Sequence, residues 1–190
     1  MRGNSQLNLP GFSLNKKKQF GGFTEGKGNP KRARPFDKKQ AIHCVIKSSR
    51  AVGAHSFIFF ERKILRLVSR QAKAFGVRVY NAANGGNHIH LLLKAHTRRQ
   101  FLSFLRAVTG LLARMVLGAE RGHASKVDKF FDARPFTRIV AFGRDFLGVK
   151  SYLFLNCLER IGLDRLSGRA LIAEVNKQQS LSKLVPAGFG

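Results

Sequence analysis

Residues 87–93 read Asn-His-Ile-His-Leu-Leu-Leu. On a β-strand His88 and His90 point to one face, because side chains alternate sides with a period of two. Their Cα atoms then lie roughly 6.5–7 Å apart, near enough for both imidazoles to meet one metal ion. Ile89 and Leu91 project from the opposite face, toward a core. Farther along, Tyr152 and Asn156 are four residues apart, so a helix carries them on one stripe. Two neutral imidazole nitrogens and one amide oxygen make a facial set of ligands, with positions left open for a phosphate oxygen and water. Such a set suits Mg²⁺ or Mn²⁺ serving as a Lewis acid. Tyr152, one turn from Asn156, is then held beside a phosphate on that metal.

These residues need a scaffold that brings a strand and a helix together. Ala41–Ser48 is β-prone and bounded by polar residues, so it reads as a first strand. Ile64, Leu65, Val68, Ala72 and Phe75 recur at helical spacing and predict a helix over 61–75. Val77–Ala82 alternates as a second strand, Asn84-Gly85-Gly86 supplies a tight hairpin turn, and 87–94 is the third strand. A long helix is expected from about Thr97 to Leu117, with Phe101, Leu102, Leu105, Val108, Leu112 and Met115 as its apolar stripe. After an irregular stretch over 119–133, Arg134–Ala141 reads as a fourth strand. Asp145 is placed to cap a last helix running to about Ile161. On that helix Leu147, Leu153, Phe154, Cys157, Leu158 and Ile161 are expected to seat it on the sheet. The order predicts an α+β fold: a ferredoxin-like, mostly antiparallel sheet with helices packed on one face.

The chain divides into a basic, glycine-rich flexible arm over 1–38, a domain over 39–164 and a weakly periodic tail over 165–190. Hydrophobic residues make up 44% of the 190, enough for one packed core. Thirty-five Lys and Arg against ten Asp and Glu give a net charge of +25, a field that favours phosphate polymers. Lys31, Arg32 and Arg34 in the arm, Lys94, Arg98 and Arg99 after the histidine strand, and Lys150 before Tyr152 are candidate contacts to a DNA backbone. No acidic residue occurs between Glu61 and Glu120, which argues against paired-carboxylate hydrolysis and against an all-oxygen two-metal nuclease. Cys44 and Cys157 lack Cys-x-x-Cys spacing, which fits a reducing compartment and not a zinc ribbon. Without an apolar signal core or a run of 18 apolar residues, the sequence reads as a cytoplasmic protein with no membrane partner. Tyr80 reads as a cross-strand packing residue and His43 as a satisfied interior or edge group. Glu159 shares the Tyr152 stripe and reads as half of an exposed ion pair.

His88-Ile89-His90 together with Tyr152-Leu153-Phe154-Leu155-Asn156 resembles the HUH endonucleases, and within them the single-tyrosine transposases. Arg134-Pro135-Phe136-Thr137 and Gly143-Arg144-Asp145-Phe146 look like the branch associated with repetitive extragenic palindromes. The resemblance spans roughly residues 40–162. Better-known transposases of this type carry glutamine where this chain has Asn156, a departure that matches the repeat-associated branch. The resemblance implies cleavage of hairpin-containing single-stranded DNA, with palindromic repeats as partner sequences and a nucleoid-associated bacterial setting. Tyr152 would become joined to the 5′ phosphate while a 3′-hydroxyl is released. A monomer and a homodimer both fit the sequence. Two other readings share these residues: a non-catalytic nucleic-acid-binding protein retaining the fold, and a ferredoxin-like RNA endonuclease with a histidine base.

Overall fold

The structure is a computed structural model that describes residues 18–22, 32–118 and 129–182. Its strands are β1 (Gln19–Phe20), β2 (Ala41–Lys47), β3 (Arg78–Asn84), β4 (His88–Lys94) and β5 (Phe136–Val140). Its helices are α1 (Glu61–Phe75), α2 (Arg98–Leu117), α3 (Arg144–Arg160) and α4 (Arg165–Ser182). The sheet is antiparallel throughout, in the order β1-β5-β2-β4-β3. From β2 to β5 this is the βαββαβ order of a ferredoxin-like unit, with β2 and β4 in the centre.

Alternation along the central strands makes both faces of the sheet apolar. Ile42, Cys44 and Ile46 of β2 and Ile89, Leu91 and Leu93 of β4 join Ile64, Val68, Phe101, Phe104 and Leu112 of α1 and α2 in one core. Ala41, Ala83, Leu92 and Val140 point the other way and meet Val149 and Leu153 of α3 in a second, smaller cluster. The expected α+β architecture is therefore observed, and the helices of the βαββαβ unit share one face as expected. The arrangement of α3 corrects the one-face picture: Leu92 leaves an apolar patch beside the histidines, and α3 covers it.

Local chemistry sets the element ends. Thr97 caps α2 in a reciprocal box with Gln100, and Gly76 closes α1 at φ 63°, where a side chain would be strained. α2 is long and apolar enough to cross a membrane by length and composition alone. Its apolar residues Phe101, Phe104, Leu105, Val108, Leu112 and Val116 are all buried.

Three expectations change. In the stretch read as a flexible arm, the described residues 18–22 and 32–38 lie on the domain. β1 pairs with β5, and Phe20 is buried under the guanidinium of Arg34, 4.3 Å from its ring centre. In the stretch read as a tail, Asp164 accepts from the amides of Leu166 and Ser167 and starts α4. Gly168 then lets α4 approach the side chain of Leu155 so closely that a β-carbon there would sit 2.6 Å from it. On α3 Leu147 and Phe154 are exposed, as is Ile161 just past its end, while Leu153 seats the helix as expected and is joined there by Val149. Tyr152 therefore lies on the sheet-facing side of α3, packed against the second cluster.

Candidate active site

β4 presents His88 and His90 on the α3 face, as the alternation predicts. Their ring centres are 4.8 Å apart and the rings stand nearly perpendicular, at 84°. α3 crosses above them and sets the Tyr152 ring 5.6 Å from that of His90, at 86°. The structure thus brings together three of the four residues singled out from the sequence. Asn156 follows one turn along α3, and its amide nitrogen is buried with no hydrogen-bond partner. The two ends of a carboxamide can exchange without changing shape, so either end can face a ligand.

Each histidine has one ring nitrogen engaged. Nδ1 of His88 lies 2.7 Å from Oδ1 of Asn87, in the hairpin turn. Nδ1 of His90 lies 3.0 Å from Nε2 of His43 on β2, while its own Nε2 is buried without a partner. The turn itself is fixed by Asn84, whose Oδ1 accepts from the amide of Gly86 and whose amide donates to Phe57 O. Gly85 leaves room for the His88 ring, because a β-carbon there would lie 2.3–2.9 Å from three of its atoms.

All three imidazoles are held uncharged at neutral pH. Burial first, then the Arg138 guanidinium, pushes His43 down to about 3 against a slight opposing pull from Asp145. Burial, followed by repulsion from His43 and His88, keeps His90 well below the ordinary histidine value. Burial and then Lys47 lower His88. Neutral imidazoles are the form that ligates a metal. Among the described residues, no group of three or more His, Cys, Asp or Glu side chains is placed to hold a metal. The donors named from the sequence are instead a mixed set, two imidazoles and a carboxamide. Nε2 of His90 and the amide nitrogen of Asn156 are each buried without a protein partner, which fits polar atoms left for a bound group to satisfy.

The expected DNA contacts separate into kinds. Lys31 lies outside the described residues. Arg34 donates to Pro135 O and Thr137 Oγ1, and Arg32 donates to Gln19 O, so both fasten β1 to its surroundings. Arg98 donates to the carbonyl of Arg34, and Arg99 is exposed at the start of α2. Lys94 shares the face of the histidines, with its ammonium 5.2 Å from the Phe142 ring centre. Lys150 is exposed on α3. Glu159 pairs with Arg165 at 2.9 Å, as read from the sequence, whereas Tyr80, expected to pack across the strands, sits at a register shift without a partner on β4 and packs edge-on against Phe142 and Phe146 of the β5–α3 segment.

Two residues of the site escaped the sequence reading as participants. Lys47 faces His88 directly across the β2–β4 ladder. Arg138 is buried on β5 and holds Asp145 through two hydrogen bonds of 2.8 and 3.0 Å. Asp145 sits inside the first turn of α3 rather than at its cap, which is Gly143. The pair consequently ties the tyrosine helix to the sheet beside His43. The register could have indicated both residues, since Lys47 and Arg138 share strand faces with His43, His88 and His90.

No protein-family model matches this sequence, and no curated protein does at a significant level. Among solved structures, the chain is similar to a protein from Deinococcus radiodurans described as a candidate transposase. The two are 14% identical with a TM-score of 0.39, over 67% of this chain and 98% of the other.

Proposed function

We propose that the protein is a metal-dependent, single-tyrosine DNA strand transferase of the HUH type, acting on hairpin-containing single-stranded DNA. The observation that carries this reading is the meeting of Tyr152 with the His88–His90 pair across the α3–sheet contact. His88, His90 and Asn156 would hold Mg²⁺ or Mn²⁺, which when bound supplies Lewis-acid polarisation of a phosphate oxygen. The phenolic oxygen of Tyr152 attacks phosphorus, its bond to phosphorus forms, and the bond from phosphorus to the 3′ oxygen breaks. The phenol gives up one proton and the departing 3′ oxygen gains one. One phosphodiester replaces another, so the strand is rejoined by the reverse displacement without a nucleotide cofactor. Packing of α3 by Val149 and Leu153 fixes the direction of attack and so removes orientational freedom before the reaction. The charge of +25 supplies sequence-independent attraction to the strand. Palindromic repeats as the natural target belong to the same proposal.

The test is incubation with a panel of hairpin-bearing single strands and Mn²⁺ or Mg²⁺, followed by denaturing electrophoresis and mass spectrometry of the adduct. A covalent adduct on Tyr152, absent from Tyr152→Phe, is the expected result. Tight binding with no adduct on any hairpin assigns the protein to the non-catalytic class. Metal-independent cleavage of RNA that a 2′-deoxy group abolishes assigns it to the RNA endonucleases.

A further inference from the structure

His43 is almost fully buried on β2, the strand paired on both sides, by β4 and β5. In the β2–β4 register His43 faces Leu92 and His90 faces Val45, so the two histidines are diagonal neighbours on one face. Their ring planes differ by only 11°, and their centres are 5.3 Å apart. That separation exceeds the 3.0 Å between Nε2 of His43 and Nδ1 of His90 by about one ring radius at each end. The rings therefore meet edge to edge in nearly one plane, as an N–H···N bond requires, and are not stacked face to face.

One proton lies between these two nitrogens, and its owner decides what the site can bind. If His43 donates, His90 must carry its own proton on Nε2, and the nitrogen left without a protein partner becomes a hydrogen-bond donor. If His90 donates from Nδ1, its Nε2 presents a bare lone pair. Only the second arrangement permits ligation of a metal by Nε2. The outer partner of a ligating histidine commonly fixes the tautomer in this way. Here that partner is a second imidazole where a carboxylate or carbonyl is usual, and this suits a sheet face poor in acidic residues.

We propose that His43 is a positioning residue of the site: its Nε2 accepts the Nδ1–H of His90 and holds His90 with the Nε2 lone pair open to the cation. The inference rests on the reading of His88 and His90 as metal ligands. His43 itself touches neither cation nor DNA. It acts through His90, and because β2 is held on both sides it gives that ring little freedom to turn.

The experiment measures Mn²⁺ binding to the full chain by calorimetry and by the loss of free-ion electron paramagnetic resonance signal. His43→Phe keeps an aromatic ring in a buried position and removes the acceptor, and is expected to weaken Mn²⁺ by about 10–100-fold. His43→Gln, whose side-chain oxygen reaches about as far as Nε2, is expected to recover most of that loss. A purely structural role would lower stability in both variants and leave the Mn²⁺ affinity of the folded protein unchanged. Nitrogen-15 spectra of the Mg²⁺-loaded wild type are expected to show His90 protonated on Nδ1, a readout that does not depend on any variant folding. Wild-type affinity in His43→Phe, or a His90 proton on Nε2 in the loaded protein, overturns the inference and leaves the metal reading standing. A wild type that binds neither cation overturns both.

Discussion

Acidification is expected to destabilise the metal-free protein through its buried histidines, and His43 permits the effect to be sized. The folded chain keeps this ring neutral down to about pH 3, whereas an unfolded histidine titrates near about 6.5. Between those values the unfolded chain binds a proton that the folded chain does not, so the unfolding free energy rises with pH. The stabilisation is complete above about pH 6.5 and drains away as the pH falls toward about 3. One proton corresponds to slightly more than about 1 kcal/mol per pH unit. The whole window is then about 5 kcal/mol, a large share of the roughly 5–15 kcal/mol that holds an ordinary domain. His90 and His88, whose values are also lowered, act in the same direction. Urea unfolding in the presence of EDTA, followed by circular dichroism at about pH 7, 6 and 5, measures the slope. His43→Phe has nothing to protonate at that position, so its slope is expected to be shallower by about 1 kcal/mol per pH unit. Equal slopes in wild type and variant would refute the reasoning.

Gly85→Ala forces the His88 ring away from a β-carbon that would lie 2.3–2.9 Å from it. It is expected to weaken Mn²⁺ by about tenfold or more, while thermal unfolding shifts little; an unchanged Mn²⁺ isotherm would count against the position of His88. Arg138→Ala strips Asp145 of its buried partner. With the carboxylate side chain 35% exposed, solvent softens the loss to about 2 kcal/mol in urea unfolding, below the roughly 3–5 kcal/mol of a fully buried pair. Arg34→Ala removes two hydrogen bonds and the cover of Phe20. Amide exchange is expected to accelerate at residues 19 and 20 and to stay slow in β2 and β4, and uniform protection would contradict this.

The sequence made the site strand legible because the two faces of β4 differ at its start: imidazoles on one side, aliphatics on the other. It made α1 and α2 legible because each buries one face of its own. α3 was harder to read. Its apolar residues surround the helix, so their spacing does not reveal that Tyr152 shares the buried side with Val149 and Leu153. Leu92 held the missing information, since an apolar residue on the histidine face needs a cover. His43 was visible as a strand histidine, but its bond to His90 depends on a register that two separated strands do not announce. The glycines and basic residues of the N-terminal stretch suggested an arm. Arg34 shows why composition misled there: its guanidinium bonds to Pro135 and Thr137, more than 100 residues away.

The outer side of β5 is covered by two residues of β1, and Gly22 continues the contact through its amide to Arg134 O at 2.8 Å. A shortened chain beginning at Lys39 would lay bare a row of backbone donors and acceptors able to template another strand. The shortened chain still carries a net charge of +18, which keeps its copies apart in dilute buffer, and added salt screens that repulsion over a distance of about 10 Å at 0.1 M. Turbidity that grows with ionic strength in the shortened protein, and not in the full chain, is the signature of a seal against self-assembly.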